Sequence, residues 1–143
     1  MAFAGTYEHT LDAKNRLSVP TRFRSSLSGS IVLAQDSERC MTVWPKNEYD
    51  AETAAILAPL NAGGARYQKI KRFRNANSFD AELDGSGRVG LPGSLIGWAG
   101  LDREVTVIGA GDHLEIWDRA AWAGYNDGLA DEIKQIQREL DEQ

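Results

Sequence analysis

Cysteine is all but missing: Cys40 stands alone in 143 residues. A single thiol excludes an internal disulfide and fits a reducing compartment, and its expected role is that of a small buried hydrophobe in a strand. Long apolar runs are missing as well, since nothing approaches the roughly 20 residues of a membrane span. The opening MAFAGTYEHTLDAKNR has no basic stretch leading into an apolar one, so no secretory signal is expected. Histidine is scarce, and neither His9 nor His113 has a Cys or His neighbour at metal-ligand spacing, which argues against zinc. The Gly-rich GAGDH at 109–113 lacks the GxGxxG pattern and opens no helix, so it offers no dinucleotide site. No spacing among the histidines and carboxylates singles out a base and an orienting acid for a Ser or Cys nucleophile. The expectation is a cytoplasmic protein that is not an enzyme, with no cofactor, no metal, no membrane and no small-molecule substrate.

What is present suffices for a core. Hydrophobic residues make up 42% of the chain, with four each of Trp, Tyr and Phe. The length suits one domain, or two half-size units sharing one core. The net charge of −5 argues against a simple basic nucleic-acid binder, because phosphate affinity rests on clustered Lys and Arg. That total hides a split. Residues 1–75 carry 11 Lys and Arg against 7 Asp and Glu, whereas residues 76–143 carry 5 against 14. Two faces with different partners would produce such a division.

An internal repeat explains more than composition does. Residues 8–24 and 80–96 share Leu, Asp, Arg and Pro at four of 17 aligned positions, where chance gives about one. With one more residue of offset, IVLA (31–34) meets EVTV (104–107) and MTVW (41–44) meets LEIW (114–117). Trp44 then corresponds to Trp117, and Tyr49 to Trp122. Collinear matches of this length indicate duplication of one supersecondary unit.

Each copy reads the same way locally. Strand candidates at 7–11 and 16–19 are joined as a tight hairpin by Asp12-Ala13-Lys14-Asn15, and Asp84-Gly85-Ser86-Gly87 stands at the same place in the second copy. Asn15 and Gly87 both tolerate the positive φ of a tight turn. Pro20 and Pro92 end the strand and open short helices over 21–27 and 93–99. Two strands follow in each copy, IVLAQ with CMTVW and VTVIG with HLEIW. Asp12 and Asp84 each precede an Arg by four residues across a turn, which predicts an internal Asp–Arg hydrogen bond that would also hold the Arg in place. The spacing then predicts helices over 46–57 and 65–76, the second carrying Tyr67, Ile70 and Phe73 on one face amid the basic KIKRFR run. Leu129, Ile133, Ile136 and Leu140 form a heptad-like seam on the C-terminal helix, and such a seam needs a partner. The four Trp are expected in the core.

Gly5 to Arg24 (G-x-Y-x-H-x-L-D-A-K-N-R-L-S-V-P-x-R-F-R), L-D-x-x-G-R-V-x-L-P from Leu83 to Pro92, Ala99-Gly100-Leu101 and the E-I-W ending at Trp117 together resemble the MraZ family, over nearly the whole chain. The resemblance implies an α+β fold of two tandem AbrB-like swapped-hairpin β units forming an intramolecular pseudo-dimer, with added helices after each unit. The divisions it implies are a first unit at 5–48, a helical connector at 49–76, a second unit at 77–120 and a C-terminal helix at 121–143. It also implies a nucleoid-associated transcriptional regulator of the division and cell-wall gene cluster, binding direct repeats in double-stranded promoter DNA as a ring-shaped homo-oligomer. Carried over by position, the DNA-binding candidates are Lys14, Asn15, Arg16, Arg22, Arg24 and Arg88. Two departures matter. Asn15 stands where the family commonly has Gly, and Ser86, Ser94 and Ile96 replace Lys14, Arg22 and Arg24 in the second copy, leaving Arg88 alone in the weaker loop. The rival reading is an oligomeric protein-interaction scaffold that uses the acidic half and the C-terminal seam, without specific DNA binding. Salt separates the two, because phosphate binding weakens steeply with ionic strength and apolar association does not.

Overall fold

A computed structural model describes residues 3–143. It is an α+β structure with an antiparallel sheet. The first half supplies β1 (Thr6–Thr10), β2 (Arg16–Ser18), a 3-10 turn (Thr21–Phe23), β3 (Ile31–Gln35), β4 (Met41–Pro45), α1 (Lys46–Leu57) and α2 (Ala65–Ala76). The second supplies β5 (Ser78–Ala81), β6 (Arg88–Gly90), α3 (Gly93–Ala99), β7 (Glu104–Gly109), β8 (Leu114–Asp118), α4 (Arg119–Asn126) and α5 (Leu129–Asp141).

Six strands form one sheet in the order β1-β7-β8-β4-β3-β5, and β2 pairs with β6 in a separate two-stranded ribbon. This corrects the local hairpin reading of 7–11 with 16–19. β1 pairs with β7 and β2 with β6, so each strand beside the Asp12 turn finds its partner in the other half. Among the described strands only β3 with β4 and β7 with β8 pair within a half. The order reads the same from either edge once corresponding strands are exchanged, with the midpoint at the β4–β8 pair, where Thr42 faces Glu115.

Register also corrects the alignment of the repeat. The pairing Val107↔Ile116 in the second half corresponds to Leu33↔Val43 in the first, which sets Ile31 against Val105 rather than Glu104. Ile31 and Val105 are both buried, whereas Glu104 is exposed. A one-residue slip would turn every side chain of the strand to the wrong face. The difference lies in the approach to the strand, which is longer in the second half. There α3 runs a full seven residues and closes on Gly100 at φ 61°, with the Leu101 amide donating to Ile96 O at 3.0 Å, a left-handed stop that glycine adopts without strain. In the first half the expected helix over 21–27 shrinks to the three-residue turn, as Ser25, Ser26, Ser28 and Gly29 are weak helix formers.

The main core lies between one face of the sheet and the ribbon. Ile31, Leu33, Met41, Val43, Val105, Val107, Leu114 and Ile116 project from the sheet to meet Leu17 and Val89 of the ribbon, with Phe23, Leu27, Leu95 and Ala99 from the turns beyond it. On the opposite face Val32, Ala34 and Trp44 pack under Tyr49 of α1, and Trp117 packs against Trp122 and Tyr125 of α4. Of the four Trp, Trp44 and Trp117 are buried, while Trp98 and Trp122 are only half-buried. Cys40 is fully buried, in the turn one residue before β4. No helix among the described residues is long and apolar enough to cross a membrane.

Candidate nucleic-acid interface

The ribbon alternates in and out with period two. Leu17 and Val89 are buried, whereas Arg16, Ser18, Arg88 and Gly90 lie on the outer face. Arg16 sits opposite Gly90 and Arg88 opposite Ser18, so the two arginines are diagonal neighbours about 7–8 Å apart. Ser18 and Gly90 share this outer surface and were not among the expected site residues. The alternation in RLSV and RVGL is the signal that identifies them.

Each arginine is fixed by the turn before it. Asp12 Oδ1 accepts the amides of Lys14 and Arg16, both at 2.9 Å, and Asp12 Oδ2 accepts Arg16 Nε at 2.7 Å. Asp84 repeats the pattern with the amides of Ser86 and Arg88 and with Arg88 Nε, all at 2.9 Å. The amide of Arg16, opposed in part by desolvation and reinforced by the Arg16 guanidinium and the Lys14 amide, holds the Asp12 carboxyl below the usual carboxylate range. The Arg88 amide does the same for Asp84. Among the described residues neither Arg16 nor Arg88 gives its terminal Nη groups to a protein acceptor, so both forks are free to meet an outside acceptor bidentately.

Both turns carry their positive φ where expected, at Asn15 (55°) and Gly87 (76°). The turns stand at opposite ends of the ribbon. Asn15 O accepts the Leu91 amide at one end, and Gly87 O accepts the Val19 amide at the other, each at 3.0 Å. Lys14 and Asn15 are exposed at the first end, and the Lys14 ammonium makes no ion pair or hydrogen bond with a described residue.

Arg24, one of the DNA-binding candidates, is partly engaged within the protein. It is half-buried, donates from Nε to Val19 O at 2.9 Å, and lies directly over Gly87, where a Cβ would collide with it. Because the ribbon strands cross between halves, a basic residue of the first copy thus stands beside the turn of the second. Arg22 remains exposed and leans on Tyr7, whose hydroxyl accepts Arg22 Nη1 at 3.0 Å while donating to Ala4 O at 3.1 Å. The ribbon therefore brings together Lys14, Arg16, Arg88 and Arg24 from end to end, with Arg22 beside them.

The basic run on α2 divides. Arg74 turns inward, donating from Nε to Thr53 Oγ1 at 2.8 Å and stacking over Tyr49 with its guanidinium carbon 4.4 Å from the ring centre, while Lys69, Lys71 and Arg72 stay exposed. Elsewhere Asp36, Cys40 and Glu115 converge near the β3–β4 turn. There burial, with Glu115 and Asp36 beside it, pushes the Cys40 thiol far above its ordinary range, so it stays protonated and donates to Asp36 Oδ2 at 3.7 Å.

A duplicated α+β chain whose halves pair strands with one another, and which presents paired, carboxylate-held arginines on a two-stranded ribbon, defines the class. Two adjoining segments, 2–70 and 73–143, match the family model described as "MraZ protein, putative antitoxin-like", and the chain belongs to the MraZ family. Among curated relatives it is similar to proteins named transcriptional regulator MraZ. One from Nocardioides sp. is 39% identical over all of this chain and 96% of its own length. Another from Limosilactobacillus fermentum is 36% identical over 94% and 93%, and one from Kocuria rhizophila is 44% identical over 86% and 85%.

Proposed function

We propose that this chain is a DNA-binding transcriptional regulator that acts as a ring-shaped homo-oligomer on direct repeats in the promoter of the division and cell-wall gene cluster, at the nucleoid. One observation carries the reading: the outer face of the β2–β6 ribbon, with Arg16 and Arg88 held at Nε and free at Nη. A two-stranded antiparallel ribbon fits the major groove, and an arginine fork pairs bidentately with guanine O6 and N7 or with a phosphate. Arg16 and Arg88 are the base-reading candidates. Lys14, Asn15, Arg22 and Arg24 supply phosphate contacts at the ends of the ribbon. The exchange of β1, β2, β5 and β6 between halves supports an intramolecular pseudo-dimer of two swapped-hairpin units, 5–48 and 77–120, with helical additions at 49–76 and 121–143. The names borne by the relatives support the regulatory role.

The test is fluorescence anisotropy with the DNA upstream of the chain's own gene, the parent against Arg16→Ala, over a salt series. The parent should prefer this DNA to a scrambled duplex, and its affinity should fall steeply with salt. Losing one bidentate contact should weaken each ribbon by about 1–3 kcal/mol. An Arg16→Ala variant that keeps its assembly and binds equally well removes the ribbon as the reading element. A parent without preference for that DNA, and with salt-insensitive self-association, favours the scaffold.

A further inference from the structure

Among the described residues seven large apolar side chains are exposed, most of them on the helix pairs of the two halves. Ile56 and Phe73 belong to α1 and α2, Tyr125, Ile133, Ile136 and Leu140 belong to α4 and α5, and Phe79 stands apart on β5, opposite Leu33 and so on the ribbon side of the sheet. α1 packs on β3 and β4, towards one edge of the six-stranded sheet, and α4 packs on β7 and β8, towards the other. The two patches therefore sit at opposite ends of the molecule, on corresponding helix pairs of the two halves.

Their charges are opposite. α2 carries five cations and no acid over Ala65–Ala76. Arg66 and Lys69 precede Phe73 by seven and four residues, which puts them on its face of the helix. α5 carries four acids and two cations over Leu129–Asp141. With Ile133 and Leu140 at a positions and Ile136 at d, the flanking positions are Ala130, Glu132, Gln137 and Glu139, so both charges bordering the seam are negative. Lys134 and Arg138 lie away from it. An α5 seam paired antiparallel with another α5 sets Glu132 and Glu139 against their own copies, and a parallel pair gives them only Gln137 and Ala130. Neither arrangement contains a cation.

We propose that the α5 seam docks on the α1–α2 face of a second copy of this chain, so that Glu132 and Glu139 meet Arg66 and Lys69 around the packed Phe73, Ile133, Ile136 and Leu140. This rests on the oligomeric reading above and deepens it by naming the two mating surfaces. The two patches occupy corresponding positions, and shape alone would let either patch pair with itself. The charge split leaves both self-pairings without an opposite-charge partner and gives the assembly one direction. A heterologous contact between opposite ends builds a closed ring when its rotation closes. The uneven charge of the two halves thereby acquires a role that overall solubility does not explain.

The experiment is native mass spectrometry and sedimentation velocity on the full chain without DNA, with circular dichroism to verify folding. One variant carries Arg66→Glu and Lys69→Glu, a second Glu132→Lys and Glu139→Lys, and a third all four. All four positions are exposed. The parent should sediment as a multiple of the 15.7 kDa chain. Each two-site variant alone should fall to the monomer mass, the two mixed should re-form a species containing both, and the four-site variant should regain the parent's mass. Folded two-site variants that keep the parent's mass overturn the proposed contact while leaving the oligomeric reading intact. A parent that stays monomeric at every concentration overturns both. Stronger assembly of Glu132→Lys, Glu139→Lys than of the parent would refute the contact.

Discussion

Leu17→Ala should unfold both halves together, because Leu17 sits where they interlock. Its side chain is fully buried, and it faces Val89 across the ribbon, where β2 of one half meets β6 of the other. Truncating a buried leucine removes its transfer free energy and leaves a cavity, at about 3–5 kcal/mol. A well-braced site belongs near the upper end, and this one is enclosed by the sheet below and by the segments after Pro20 and Pro92 on either side. For a chain of this size that corresponds to a fall in Tm of about 10–17 °C. The informative assay is 19F NMR of 5-fluorotryptophan-labelled protein during thermal unfolding, since Trp44 reports the first half and Trp98, Trp117 and Trp122 the second. All four native resonances should vanish over one transition, at the lowered temperature, although the substitution lies in the first half. Loss of the Trp44 signal ahead of the others would refute the reasoning, for it would mean that the halves are separate folding units.

The turn residues should respond in opposite senses. Asn15→Gly relieves a left-handed backbone and should be stabilising by up to about 1 kcal/mol, whereas Gly87→Ala should raise the unfolding free energy of neither half and should instead lower Tm and expel Arg24 from Val19 O; urea melts and the Arg24 Nε–H resonance report both. His113 stacks on Trp44, with Nδ1 2.7 Å from Asp112 Oδ1 and Nε2 3.5 Å from Glu115 Oε2. Burial opposes its protonation, but these carboxylates outweigh burial and raise its pKa. A raised pKa stabilises the fold fully below the unfolded value of about 6.5 and fades as pH rises through the folded value. The Tm gap between the parent and His113→Asn should accordingly be widest in mild acid and narrow towards pH 9; a gap that widened with pH would contradict the pairing. Arg74→Met, which removes the bond to Thr53 and the 3.5 Å ion pair to Glu52, should cost about 1.5–3 kcal/mol locally, seen as faster amide exchange in α2, where no residue is buried.

Element positions were legible because each strand and helix announces itself locally. The predicted helices over 46–57, 65–76 and 93–99 coincide with α1, α2 and α3, as expected where Pro, Gly and apolar periodicity agree. Partner choice was not legible from local pattern. The stretch from Tyr7 to Val19 looks like a hairpin because the turn chemistry at Asp12 and Asn15 is that of a hairpin, and nothing within those residues says that β7 and β6 will compete for the two strands. The register of β3 against β7 failed for a related reason: IVLA and EVTV align best by letter at 73 residues, while burial demands 74. At the site, the Asp–Arg clamp followed directly from spacing, since Asp four residues before Arg across a turn reaches both amide and guanidinium. Arg24 did not, because its neighbour Gly87 is 63 residues away and comes close only through the exchange of strands.

Pairing one strand from each half leaves the ribbon symmetric in its clamps and asymmetric in its surroundings, and the asymmetry yields the last prediction. Arg16 and Arg88 are related by the internal symmetry, but one end of the ribbon holds Lys14 and the other Ser86 with Arg24 laid over Gly87. A ribbon with unlike ends distinguishes the two directions along a duplex. If copies join head to tail, every ribbon on the assembly points the same way, whereas face-to-face pairing would alternate them. Same-sense ribbons match direct repeats, and alternating ribbons match inverted ones. Anisotropy with duplexes of equal composition, one carrying the native arrangement of sites and one with every second site inverted, separates the two. Inversion should abolish the gain from linked sites, lowering affinity towards that of a single site, a loss of about 10²–10⁴ where linkage is effective. Equal affinity for both arrangements would mean that the ribbon is read as symmetric, and that Lys14 and Arg24 contribute charge without direction.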